Sequence, residues 1–96
     1  MENYLEQLKK FTVSFFRNDS VKIILFGSRA KKEHASTSDI DIGIIPSSNV
    51  NSKTITLFRE KIENLNIPFK IDVVNFNETS EDFRREALKG AIVWKN

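Results

Sequence analysis

Val21-Lys22-Ile23-Ile24-Leu25-Phe26-Gly27-Ser28 is followed, after ten residues, by Asp39-Ile40-Asp41-Ile42-Gly43-Ile44-Ile45, and these two runs decide the fold. The first is dense in β-branched and aromatic side chains and ends on glycine, which predicts a strand buried on at least one face, at the centre of a sheet, followed by a tight turn. The second predicts another strand from Asp39 to Ile45, stopped by Pro46 and the Ser-Ser-Asn loop behind it. Only about a dozen residues join the two strands, close to the minimum for a parallel crossover, so they are expected to pair antiparallel.

Outward from this pair the chain turns helical on both sides. Tyr4, Leu5, Leu8, Phe11, Phe15 and Phe16 recur at helical spacing, until Asn18-Asp19-Ser20 interrupts the pattern. The adjacent Phe15 and Phe16 make both faces of this helix apolar at its end, which points to a protein interface. Ser28 to Glu33 has the length for one or two further helical turns, leading into a polar stretch from His34 to Ser38. Ile55, Phe58, Ile62 and Leu65 predict a third helix, with Asn51 or Ser52 as its N-cap and Asn66 closing it. Pro68 opens a third apolar run, Phe69 to Phe76, whose alternation puts Lys70, Asp72, Val74 and Phe76 on one face. Thr79 or Ser80 caps a last helix carrying Phe83, Ala87 and Leu88 and ended by Gly90, and Ala91 to Trp94 follows as a short apolar tail. The order α-β-α-β-α-β-α predicts an α+β layered fold, a small mixed β-sheet with helices packed on it.

Composition narrows the field. The 96 residues are expected to form one domain, 1–96, with little material left for a separate substrate-binding unit. A chain of this size buries roughly 60–68% of its unfolded surface, enough for one modest core. Its target is therefore expected to bring a docking surface of its own. Fifteen basic residues nearly balance 13 acidic ones, with no long run of either sign, so no direct nucleic-acid binding is expected. The pairs Lys31-Lys32 and Arg84-Arg85, and the single histidine His34, read as solvated surface, and Trp94 with the eight phenylalanines as core or a partner-facing patch. The absence of cysteine excludes disulfides, thiolate chemistry and cysteine zinc sites, and fits a reducing compartment. No stretch reaches the ~20 apolar residues of a membrane span, and the polar start does not read as a signal peptide. A cytoplasmic protein without membrane association is the expectation.

The chemistry lies in the carboxylates. Side chains alternate along a strand, so Asp39 and Asp41 point one way while Ile40, Ile42 and Ile44 point into the core. Same-face residues sit roughly 6.5–7 Å apart, and their tips can converge on two cations ~3.5–4 Å apart, as phosphoryl-transfer sites require. Without cations they repel, by about 4 kcal/mol for unit charges ~4 Å apart at an effective dielectric near 20. Gly27 after a strand lets the backbone approach a phosphate, Ser28 offers its hydroxyl and backbone to a β- or γ-phosphate, and Arg29 or a neighbouring lysine offers charge. The segment is not a P-loop, because the Gly-Lys-Ser/Thr ending is missing. Asp72 sits in an otherwise apolar strand. There it is either an edge carboxylate paired with Lys70 or a third metal ligand that also takes the proton of an attacking hydroxyl.

Phe26-Gly27-Ser28-Arg29-Ala30, the ten-residue gap from Ser28 to Asp39, and Ser38-Asp39-Ile40-Asp41-Ile42 resemble the signature of the DNA polymerase β-type nucleotidyltransferase superfamily. Within it the match is to the minimal nucleotidyltransferases, the MntA-like antitoxins, over roughly residues 21–76. Lys32 departs from the glycine common at that position. The resemblance implies a polymerase β-like fold and transfer of AMP from ATP, with two Mg²⁺ ions, to a hydroxyl. Gly27, Ser28, Arg29 and Ser38 would bind the nucleotide, Asp39, Asp41 and Asp72 would hold the metals, and Asp72 would be the base. It also implies a hetero-oligomer with a HEPN-domain toxin, a helical ribonuclease silenced by adenylylation of a tyrosine. Inhibition by binding alone and transfer to a small molecule are the alternatives, the latter disfavoured because no second domain would form the acceptor pocket.

Overall fold

In the computed structural model, which describes residues 3–31, 39–48 and 50–96, four helices and four strands alternate around one mixed sheet. Helix α1 (Asn3–Phe15) is followed by strand β1 (Val21–Phe26), the one-turn helix α2 (Ser28–Lys31) and β2 (Ile40–Pro46). Helix α3 (Ser52–Ile62), β3 (Ile71–Asn75), α4 (Glu81–Leu88) and β4 (Ile92–Lys95) complete the order. The strands lie in the sequence β3-β2-β1-β4, with β1 antiparallel to both β2 and β4, and β2 parallel to β3. The antiparallel β1–β2 pair and the mixed α+β architecture are as the sequence predicts.

Local signals fix the element ends. The Asn51 side chain accepts from the Lys53 N–H at 2.8 Å, and the Ser80 hydroxyl accepts from the Phe83 N–H at 3.0 Å, each satisfying an otherwise orphaned donor at a helix start. Asn66 leaves the turn after α3 in the left-handed region, φ 56°, a conformation its short polar side chain tolerates.

Four expectations are corrected. Ala91 to Trp94 is not a tail, since residues from Ile92 onward form β4, an outer strand whose partner β1 lies some 70 residues upstream and leaves no local trace in the sequence. Strand β2 starts at Ile40, whose N–H donates to the Lys70 carbonyl at 2.9 Å, and Asp39 stands just before it. Pro46 does not stop β2 but closes it opposite Val21, at a strand end where its missing N–H costs little. The Phe15–Phe16 pair belongs to the core: Phe16 is fully buried, and the rings of Phe11, Phe15 and Phe16 lie 6.0, 5.3 and 4.9 Å from that of Phe58 on α3.

Strand alternation divides the buried residues into two layers. Ile23, Leu25, Ile40, Ile42 and Ile44 face Leu8, Phe16, Ile55, Phe58 and Ile62 of the α1 and α3 side. Thr12, buried among them, donates its hydroxyl to the Leu8 carbonyl at 2.7 Å and so remains satisfied. The other layer is thinner, built of Ile24, Phe26 and Phe76 with Val74, Ala87 and Ala91 packed on it. Phe83 of α4 closes it by edge contacts to Phe26 and Phe76, at 6.1 and 5.9 Å between ring centroids.

Gly43 belongs to this thin layer, and a β-carbon there would lie 2.8 Å from Cε1 of Phe76 and 2.9 Å from Cγ1 of Ile24. Gly43→Ala is expected to destabilise the fold by about 1–3 kcal/mol through overpacking. In thermal unfolding that is a fall of roughly 4–8 °C per kcal/mol for a domain of this size. An unchanged midpoint would show that the layer has room to spare.

Candidate active site

Phe26, Asp41 and Asp72 lie side by side across three neighbouring strands: Phe26 is the register partner of Asp41, and Asp41 that of Asp72. The row runs along one end of the sheet, where β1 ends and β2 and β3 begin. Neighbouring strands are ≈ 4.7–4.9 Å apart, so the two carboxylate residues are held at close quarters by backbone pairing alone.

Gly27, the next residue of β1, turns the chain at φ 79°, and a β-carbon on it would collide with the Asp41 carboxylate oxygen Oδ2. Glycine is thus required twice over, for the left-handed backbone and for the space the carboxylate fills. Ser28, half-buried, starts the single turn of α2, which the Lys31 N–H closes onto the Gly27 carbonyl at 3.2 Å. Arg29 is buried, 8% exposed, and its guanidinium lies 4.6 Å from the ring centroid of Phe69, which in turn meets Tyr4 edge-on. Asp39 is exposed at the mouth of β2, and Ser38 lies outside the described residues.

Electrostatics single out Asp41. Burial pushes its carboxyl above the ordinary 3.8, the negative charges of Asp72 and Asp39 push it further, and Lys70 pulls against them. Lys70 also stands 3.9 Å from Asp72, an exposed pairing of the kind worth 0–1 kcal/mol. Among the described residues no group of three or more histidine, cysteine or acidic side chains is gathered closely enough to hold a metal ion. Like charges with one lysine to offset them are expected to stand apart in this way. The donor set itself suits a hard divalent cation, since carboxylate oxygens from two adjacent strands and the residue before β2 are the ligands Mg²⁺ prefers. Beside Asp72 a cleft of about 470 Å³ opens between the end of α3 and β3, lined by Arg59, Phe69, Lys70, Ile71 and Val73 among others.

Two features escaped the sequence reading. Gly43 had a signal, because a glycine inside a strand marks a close approach, here that of Phe76. The Arg29–Phe69 stack joins residues 40 positions apart, and no local pattern announces it.

A glycine turn set against a carboxylate, with acidic residues on neighbouring strands at one end of a mixed sheet, is the frame of a nucleotidyltransferase. The chain matches the polymerase beta nucleotidyltransferase family over residues 6–96 and belongs to that family. A probable protein adenylyltransferase, MntA, of Haemophilus influenzae is 31% identical over 68 residues, covering 71% of this chain and 60% of that protein. The aligned part is thus less than two thirds of the relative's length. Among solved structures, a toxin–antitoxin complex with AMP-PNP superposes with a TM-score of 0.62 at 15% identity, covering 90% of this chain and 71% of the other. A mutant form of the MntA-HpeT toxin–antitoxin gives 0.66 at 16% identity with the same coverage. At such identities the likeness is one of fold.

A carboxyl whose pKa is raised on folding makes the folded state bind more protons, so its penalty is absent below the unfolded value and grows as pH rises through the raised one. Asp41→Asn removes that penalty. The variant is expected to melt above the parent near neutral pH, with the gap closing as pH falls toward the ordinary 3.8 of the carboxyl. Equal melting points at neutral pH would show that Asp41 carries no such cost.

Proposed function

We propose that the protein transfers AMP from ATP to a hydroxyl of a partner protein, a tyrosine of a HEPN-domain toxin, and acts as the antitoxin of that pair. The observation that carries the reading is the register that pairs Asp41 with Asp72 while Gly27 leans on the Asp41 carboxylate. The names of the relatives support it: one is a probable protein adenylyltransferase, and others are toxin–antitoxin complexes, one of them with a nucleotide analogue.

In this reading Asp39, Asp41 and Asp72 hold two Mg²⁺ ions, which when bound supply positive charge against the triphosphate and the charge that develops during transfer. Gly27 carries no β-carbon that would displace the Asp41 carboxylate, so the turn and the carboxylate can face the triphosphate together. Ser28 binds phosphate oxygens through its hydroxyl, with Arg29 and Ser38 completing the nucleotide contacts. Asp72 accepts the proton of the acceptor hydroxyl as its oxygen bonds to the α-phosphorus and pyrophosphate departs. The half-exposed position of Asp72 beside the cleft gives the acceptor side chain a way in.

The test is mass spectrometry of the protein encoded beside this one after incubation with ATP and Mg²⁺. A gain of one or more AMP units on a tyrosine is expected, and chelation of the metal should abolish it. Asp41→Asn and Asp72→Asn should each lower labelling at least about a hundredfold, since the charge stabilisation at such sites is worth several kcal/mol. An unmodified partner in a tight, inhibited complex would replace this reading with inhibition by binding.

A further inference from the structure

On the side of the sheet covered by α1, a groove of about 480 Å³ runs between that helix and β4, lined by Lys9, Lys10, Val13, Ser14, Arg17 and Trp94. Its floor is apolar: Trp94 is half-buried and packs on the main core, and Val13 is half-buried beside it. Its rim is cationic. Among the described residues none of Lys9, Lys10 and Arg17 has a carboxylate within ion-pair distance, whereas Lys70, Arg85 and Lys89 are all engaged. Three unneutralised cations around a tryptophan make a surface whose complement is acidic and apolar together.

The strand beside the groove is also unguarded. Ile92 and Val93 of β4 are 41% and 44% exposed, a poor arrangement for an outer strand facing water. The one charge on β4 does not protect it, since the Lys95 amino group folds back to donate to the carbonyls of Asp19 and Val21, at 3.0 Å each. The opposite outer strand is treated differently: Arg59 donates to the Val73 carbonyl of β3 at 2.9 Å, and Lys70 and Asp72 bring charge to it. One edge of the sheet is defended, and the other is left apolar next to a basic groove.

We propose that the α1–β4 groove docks an extended segment of a partner protein that carries alternating acidic and aliphatic side chains. Its aliphatic side chains cover Trp94, Val13 and the exposed Ile92, which shares the α1 face of the sheet, and its carboxylates meet Lys9, Lys10 and Arg17. A polynucleotide fits the site less well, because three cations neutralise few phosphates and the net charge of +2 gives no long-range pull. The groove is separate from the carboxylate row. Strand β4 meets β1 at Ile23 to Leu25, short of the Phe26–Gly27 end where Asp41 sits, and binding there does not depend on the transfer reaction.

Trp94 is the only tryptophan, so its fluorescence reports on this groove alone. The full chain is titrated with a short Glu/Leu-alternating peptide, a Lys/Leu peptide of equal length and a short oligothymidylate. The Glu/Leu peptide is expected to shift Trp94 emission saturably and to bind more weakly as salt is raised. The double variant K10E/R17E, at exposed positions that leave the fold intact, should bind it at least about tenfold more weakly, and Asp41→Asn should bind it unchanged. No saturable change, equal binding of the Lys/Leu peptide, tighter binding of the oligonucleotide, or indifference to K10E/R17E would each overturn the proposal.

Discussion

The Asp41 carboxylate is pressed between a turn that only glycine can make and a second carboxylate on the next strand, and much of the molecule serves to hold it there. Two backbone ladders meet at this residue, antiparallel to Phe26 and parallel to Asp72. The mixed pairing brings the end of one strand and the starts of two others to the same margin. Since a register slip of one residue would send Asp41 to the opposite face, the isoleucines that flank it act as its positioning device. Ile40, Ile42 and Ile44 are fully buried, so slipping would cost the burial of three large side chains to move one carboxylate.

The sheet divides its labour by face. The α1 and α3 side holds the larger core and the cluster of phenylalanines around Phe58. The α4 side carries the raised carboxyl of Asp41 beside the glycine turn, and its covering is thin: α4 buries none of its own residues fully, and Phe83 reaches across to Phe26 and Phe76 from a position 42% exposed. Electrostatic cost on one face is thus offset by apolar burial on the other. The Gly43 gap belongs to the same arrangement, because it lets the Phe76 ring approach closely the strand that holds Asp41 two residues earlier.

Much of this was legible in the chain. The β1 and β2 strands, their antiparallel pairing, the helix caps at Asn51 and Ser80, and the inward isoleucines follow from short-range rules that tertiary structure did not override. What stayed hidden is non-local. Ile92-Val93-Trp94-Lys95 has too few residues to show a period, and becomes a strand only because β1 offers a free edge. Arg29 reads as charge offered to a phosphate, and nothing local in the sequence places Phe69 against its guanidinium. The Phe15-Phe16 pair misled because helical spacing ends there: Phe16 follows the last helical residue, where the chain turns toward β1, and both rings can point inward.

Asp41 and Asp72 share a row but not an environment, and that difference has chemical weight. Asp41 stands on an inner strand with neighbours on both sides, where burial leads the causes that raise its carboxyl. Asp72 stands on the outer strand, with its side chain 43% exposed, a lysine 3.9 Å away and an open cleft alongside. In the proposed reaction, the group that exchanges a proton with an incoming hydroxyl needs access and room to move. A group that is to anchor a cation needs fixed geometry and few competing waters. Strand order alone supplies both, because placing β3 at the margin of the sheet exposes one carboxylate while the pairing of β2 on both edges confines the other.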